Sequence, residues 1–184
     1  ALAMCLESVM GCNSAFDARL HNARGLKGQI KTAEHVRELT QDSTLINYAG
    51  RVQDAYSLRC APQVHGIARD TVEFCKRVIS CEINAATDNP LIFENGEALS
   101  GGNFHGEPIG QLMDFLSITV SELAAISERR TFRLLDEKLN GGLPPMLVDH
   151  PENAGLNSGL MMPQYTAASL VLENQTLATP DSVH

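Results

Sequence analysis

Between about Pro108 and about Leu139, apolar residues recur at helical spacing through Ile109, Leu112, Met113, Leu116, Val120 and Leu123. Gly141-Gly142-Leu143-Pro144-Pro145 then stops the run. At roughly 1.5 Å per residue such a helix is about 45 Å long. That is more than a domain of 184 residues covers by itself. The pattern therefore predicts a long-helix bundle whose main member leaves apolar surface for self-association.

The rest of the chain is read around that helix. Leu2, Leu6, Val9 and Met10 predict a first helix ending at Gly11. A second short helix is expected from Asn13 as N-cap through Phe16 and Leu20. Gly25 and Gly28 mark a loop before a polar helix around Thr32 to Leu39. From Gln41 to Cys60 periodicity is lost, and an irregular polar stretch of that length is more often functional than idle. Pro62 suits the first turn of a further helix, with Val64, Ile67, Phe74 and Val78 as its buried stripe and an end near Ile83. Thr87-Asp88-Asn89-Pro90 is a turn, and Asn95-Gly96 between Leu91-Ile92-Phe93 and Ala98-Leu99 is a hairpin signal. A last helix is expected near Ser158 to Ala178. The fold class is all-α with a small β-hairpin.

Composition removes several classes of function. A formal charge of −8 disfavours nucleic acid as a partner, because phosphate contacts need a basic surface. Read as sequence, no apolar run approaches a membrane span, and no membrane partner is expected. Five cysteines without a CxxC pair fit buried thiols in a reducing compartment, which makes a cytoplasmic address the expectation. The histidines show no metal-ligand spacing, and neither a phosphate-cradling glycine loop nor HExxH nor Gly-x-Ser-x-Gly occurs, so no metal is expected.

Two polar clusters remain. Gln53, Tyr56 and Arg59 recur every three residues, so one helical turn or a wound loop presents all three to one side. Tyrosine exchanges a proton, and the planar guanidinium of arginine suits a carboxylate. Gly101-Gly102 lets backbone approach closely before Asn103-Phe104-His105. Spacing alone leaves open a second reading, in which Tyr56 and Arg59 merely close a loop and the glycine pair is only a turn.

Six ordered strings carry a resemblance: VQDAYSLRCAPQVHG (52–66), EINAATDNPLIF (82–93), SGGNFHGEP (100–108), ISERR (126–130), GLPPMLV (142–148) and SLVLENQTLA (169–178). Together they resemble the histidine ammonia-lyases of the aromatic amino-acid lyase family, across nearly the whole chain. His105 stands where the phenylalanine enzymes usually carry Gln. The resemblance implies the lyase's helical fold, L-histidine as substrate and trans-urocanate as product. It implies no diffusible cofactor but a methylidene-imidazolone electrophile made from an internal Ala-Ser-Gly. It also implies a homo-oligomer, a tetramer in full-length relatives, with each active site built from more than one subunit.

Carried over residue by residue, Tyr56 matches the active-site tyrosine beside the electrophile. Arg59 matches the clamp on the substrate carboxylate, with Asn89 assisting, and Gln53 and Phe104 match residues lining the pocket. His105 shapes the side-chain pocket or caps the long helix. Glu173 matches a carboxylate that meets the substrate imidazole or relays a proton. Glu128, Arg129, Arg130 and Arg133 are read as structural, supporting helix packing.

The chain departs from the family in two respects. Ala-Ser-Gly does not occur in it, Leu99-Ser100-Gly101 and Asn157-Ser158-Gly159 being the nearest strings. Thr179 and His184 replace the His and Asp usual in the family's HPxSVD string. Residues 1–184 are thus expected to be a single piece of the helical core, without the electrophile-forming segment and the C-terminal end. Two alternatives stand beside histidine elimination: a tyrosine or phenylalanine ammonia-lyase or aminomutase, and, for this chain alone, a non-catalytic helical assembly module.

Overall fold

The computed structural model describes residues 1–183; His184 lies outside the described residues. Seven α-helices and one hairpin are found there: α1 (Leu2–Ser8), α2 (Ala18–Arg24), α3 (Lys27–Thr40), α4 (Tyr56–Arg59), α5 (Ala61–Ile83), β1 (Leu91–Ile92), β2 (Ala98–Leu99), α6 (Glu107–Leu135) and α7 (Met161–Leu177). The strands pair antiparallel with Leu91 opposite Leu99 and Ile92 opposite Ala98, a register closed by the three-residue loop Glu94, Asn95 and Gly96, with Gly96 left-handed at φ 79°.

The N-terminal layer closes on its own core. Leu2, Leu6 and Val9 of the first segment pack with Phe16, Val36, Leu58 and Ala61. The second helix expected from Asn13 is divided: a 3-10 turn over Ser14–Phe16 is followed by Asp17 in an extended conformation. Asp17 caps α2, its carboxylate accepting from the Arg19 backbone N–H at 2.8 Å. Gly25 ends α2 at φ 79°, a left-handed turn that suits glycine.

The polar helix starts at Lys27 rather than near Thr32, because Gly28 meets Gly66 of α5 there. A Cβ on Gly28 would lie 2.1 Å from the Gly66 carbonyl oxygen, and one on Gly66 would lie 2.5 Å from the Gln29 Cα. The Gly28 N–H is taken by Asp70 Oδ1 at 2.9 Å, which seats the start of α3 on α5. His21 completes this crossing, its Nδ1 facing Gln29 Nε2 at 2.9 Å and its Nε2 facing the Ala15 carbonyl at 3.0 Å. Burial lowers its pKa, and that of His65.

The close crossing also corrects the stripe expected on α5. Ala61, Pro62, Gly66, Ala68 and Cys75 are the buried residues, whereas Ile67 and Phe74 are exposed and Val64 and Val78 only half-buried. Gly66 faces α3, where the two backbones in near contact leave no room for a side chain, while Ala61 joins the N-terminal core. Pro62 does occupy the first turn.

The long helix runs Glu107–Leu135 and stops short of Leu139. Asp136 leaves helical geometry, and the buried Asn140 ties the exit together. Its side chain donates to the Leu134 carbonyl and accepts from the Gly142 and Leu143 N–H groups. α5 lies antiparallel to α6, with Cys75 against Leu112 and the Phe74 and Phe115 rings 6.2 Å apart. α7, beginning at Met161 rather than Ser158, also runs antiparallel to α6, with Gln164 on Glu128 and Ser117 on the Leu177 carbonyl. Asp114 of α6 then receives the Asp181 and Ser182 N–H groups, each at 3.0 Å.

Of the stripe expected on α6, only Leu112 is fully buried; Met113 and Val120 are exposed. By length and composition α6 is long and apolar enough to cross a membrane, which corrects the expectation from sequence that no such run exists. Its packing between α5 and α7, with the buried Glu128 and Arg130 on it, is that of a bundle's central helix.

Candidate active site

The segment before α4 is fixed by a buried carboxylate. Asp54 is 8% exposed, and its Oδ2 accepts from the Cys12 backbone N–H at 2.6 Å. Its Oδ1 accepts from Arg51 Nε at 3.2 Å and lies 3.1 Å from Arg51 Nη2, which also donates to the Val9 carbonyl. This knot ties residues 51–54 to the end of α1.

From that anchor α4 presents Tyr56 and Arg59. The Arg59 guanidinium lies 4.5 Å from the Tyr56 ring centroid, a cation–π stack. Its Nε donates to the Asp54 carbonyl at 2.8 Å. The two terminal nitrogens of Arg59 and the Tyr56 hydroxyl have no hydrogen-bond partner among the described residues, and Tyr56 is 72% exposed. Gln53 is exposed beside them. The arrangement leaves a flat, two-nitrogen fork and a phenol on one side of α4, which is what binding a carboxylate beside a proton-exchanging group requires. From the opposite side Arg130 of α6 donates to the Ser57 carbonyl at 3.0 Å and holds α4 against the bundle. Burial lowers the pKa of that guanidinium.

The second cluster lies past the far end of α5. Asn89, whose peptide bond to Pro90 is cis, accepts from the Gly101 N–H at 2.8 Å and the Ser100 hydroxyl at 3.0 Å. The glycine pair is thereby tied to the turn before the hairpin. His105 Nδ1 accepts from the Glu107 N–H at 3.2 Å, which places the proton of the neutral imidazole on Nε2. That ring lines an open cleft with Glu82, Thr87, Asn103 and Gln111. Phe104 is 62% exposed beside it.

The expected site residues therefore fall into groups. Gln53, Tyr56 and Arg59 stand at the start of α5; Asn89, Phe104 and His105 stand beyond its end. A helix of 23 residues separates them by about 35 Å. Glu173, exposed on α7, is one turn from Leu177 and so level with the middle of α6. One copy of the chain does not bring these residues together. Glu128 and Arg130 are buried and bind within the chain, Glu128 pairing with Arg129 and receiving Gln164. Spacing does not single out Asp54, although Arg51 and Asp54 at i,i+3 in an aperiodic stretch was the available signal.

Among the described residues no group of three or more His, Cys, Asp and Glu is placed to hold a metal ion, and all five cysteines are free thiols.

This helical fold carries a phenol–guanidinium pair on a short helix at the mouth of a long one. The chain belongs to the aromatic amino acid lyase family, whose model matches residues 1–184. Among individual proteins it is similar to the histidine ammonia-lyase of Caldanaerobacter subterraneus subsp. tengcongensis, at 56% identity over 181 residues, covering 97% of this chain and 35% of the relative. The crystal structure of histidine ammonia-lyase from Trypanosoma cruzi is matched at 44% identity with a TM-score of 0.86, over 100% of this chain and 34% of that one. A tyrosine aminomutase from Streptomyces globisporus is matched at 39% identity with a TM-score of 0.88, over 95% of this chain and 37% of that one. The chain thus spans about 35% of the length of the curated relative to which it is similar.

Proposed function

We propose that this chain is the clamp-bearing part of a histidine ammonia-lyase, which eliminates ammonia from L-histidine to give trans-urocanate in histidine degradation. Two facts support this reading: the 56% identity to a histidine ammonia-lyase, and the unpaired fork of Arg59 stacked on an unpaired Tyr56. In the reaction the Cα–N bond breaks with its electron pair leaving on nitrogen. A Cβ–H proton is removed, and its pair forms the Cα–Cβ double bond.

The chain's residues act around that event. Arg59 holds the substrate carboxylate, with Asn89 assisting. Tyr56 takes or returns a proton beside the reacting carbons. Gln53 and Phe104 line the pocket, His105 bounds its side-chain end, and Glu173 meets the imidazole or relays its proton. The free amide of Gln53, on the extended stretch before α4, and the phenol of Tyr56, at its start, suit the carbonyl-bearing methylidene-imidazolone of the family. When present, that group supplies the electrophile that makes the amine a leaving group; its Ala-Ser-Gly precursor is not in this chain.

Because the two clusters stand about 35 Å apart, the complete site is assembled between copies in a homo-oligomer, a tetramer by resemblance. The exposed apolar residues of α6 and α7, Phe115, Val120, Leu170 and Leu172 among them, support that assembly. The expected compartment is the cytoplasm. A second reading, elimination or amine migration on tyrosine, rests on the 39% identity to a tyrosine aminomutase.

The test is a urocanate absorbance assay on the full-length protein. Tyr56→Phe and Arg59→Ala are each expected to lower kcat/KM at least about a hundredfold, a loss of about 2.7 kcal/mol in transition-state binding. Wild-type kinetics in both variants would remove their assigned roles, and turnover of tyrosine in preference to histidine would favour the second reading. The 184-residue chain alone is expected to be inert and to behave as a helical assembly module.

A further inference from the structure

We propose that Asp54 is a positioning residue for the Arg59 clamp, acting through the backbone rather than by touching substrate; this rests on the reading of Arg59 as the carboxylate clamp. Asp54 uses two parts of itself at once. Its carboxylate is buried and holds the Cys12 N–H and the Arg51 guanidinium. Its own carbonyl, on the other side of the same Cα, receives Arg59 Nε at 2.8 Å.

Arg59 is therefore oriented by two contacts, the Asp54 carbonyl on its edge and the Tyr56 ring under its face. Once the edge nitrogen and the plane are fixed, the direction of the two terminal nitrogens is fixed as well. The carbonyl can serve as that reference only while the Asp54 backbone is held, and the side-chain knot holds it. Arg51 extends the knot to the Val9 carbonyl and approaches the left-handed Gly141, where a Cβ would lie 3.1 Å from its Nη1. The clamp is in this way referenced to α1 and to the exit of α6. An arginine on a helix of four residues would otherwise be free to swing.

Asp54→Asn keeps an acceptor for the Cys12 N–H but removes the charge facing Arg51, so the knot loosens while the pocket's own side chains remain. The test uses the full-length protein and two competitive ligands that differ in the carboxylate, imidazolepropionate and ethylimidazole. In the wild type the carboxylate is expected to improve affinity, and Arg59→Ala to abolish that advantage. Asp54→Asn is expected to reduce the advantage about tenfold, with ethylimidazole binding unchanged and KM rising more than kcat falls. In the Arg59→Ala background Asp54→Asn is expected to have no further effect on the ratio.

An unchanged ratio in Asp54→Asn, or equal weakening of both ligands, overturns the proposal and leaves Asp54 as fold support only. An unchanged ratio in Arg59→Ala removes the clamp reading itself, and the proposal with it. If Asp54→Asn does not fold, Asp54→Glu keeps the charge but displaces the carboxylate by a methylene. It is then read by the same ratio, with a smaller drop expected and an unchanged ratio again overturning the proposal.

Discussion

Leu6, Phe16 and Leu58 in the N-terminal layer are each no more than 2% exposed, whereas α7 buries no residue and leaves Leu172 67% exposed. The two regions have similar apolar content but different partners. α1 to α4 are short and fold around one another and the start of α5. α6 and α7 are long and meet mainly along one seam, so their outer faces stay open. Apolar residues in the first region stabilise the monomer; those in the second contribute only when something covers them.

That difference is open to direct test. Phe16→Ala is expected to cost about 3–5 kcal/mol of unfolding free energy, from lost burial and the cavity left behind. Leu172→Ala is expected to stay within about 0.5 kcal/mol in the monomeric chain, and instead to shift sedimentation toward smaller species. Chemical denaturation of both variants measures the contrast. Equal costs in the monomer would mean that α7 is covered in solution by this same chain.

Gly66→Ala sharpens the comparison, because it tests how close the packing in the first region is. Its Cβ would meet backbone atoms of Gln29 at 2.5 Å, and neither helix yields easily. A loss of about 3 kcal/mol is expected. Gly101→Ala is the control, since a Cβ there has nothing within 4 Å, and its thermal midpoint should match that of the wild type.

The smallest effect is the response to pH, and it separates the regions by window. His21 and His65 have lowered pKa values, chiefly through burial and for His65 also through Arg130 and Arg69. The unfolded chain therefore binds more protons below about pH 6.5. The stability they contribute is complete above that value and is lost as pH falls through their folded values. Asp114 has a lowered pKa through the Ser182 and Asp181 donors, so its contribution persists to lower pH. It is lost only below about pH 3.9, as pH falls through its folded value. Denaturant midpoints between pH 7.5 and 3 should fall in two stages, and His21→Gln should flatten only the first.

Much of the fold was legible because it rests on local chemistry. The Asn95-Gly96 hairpin, Pro62 in the first turn of α5 and the length of α6 each follow from turn propensity or periodicity. The buried face of α5 is not its run of large apolar residues, because the close crossing with α3 admits only small ones there. Ile67 and Phe74 instead lie outside the Gly28–Gly66 contact. Similarly, Asp17 divided an expected helix because its side chain satisfies the α2 N-terminus better than it would a continuous turn.

The amino-acid sequence by itself determined the helical class, the phenol and guanidinium at Tyr56 and Arg59, and the ordered strings that place the chain among aromatic amino acid lyases. Periodicity, turn chemistry and motif order are properties of neighbouring residues, so they can be read along the chain. Only the tertiary structure decided that Asp54 holds Cys12, 42 residues away, while its own carbonyl accepts from Arg59. Only it decided that Asn89 and His105 stand at the other end of α5 from Tyr56 and Arg59. Those facts depend on which backbones come close in space, and spacing in sequence carries no record of that.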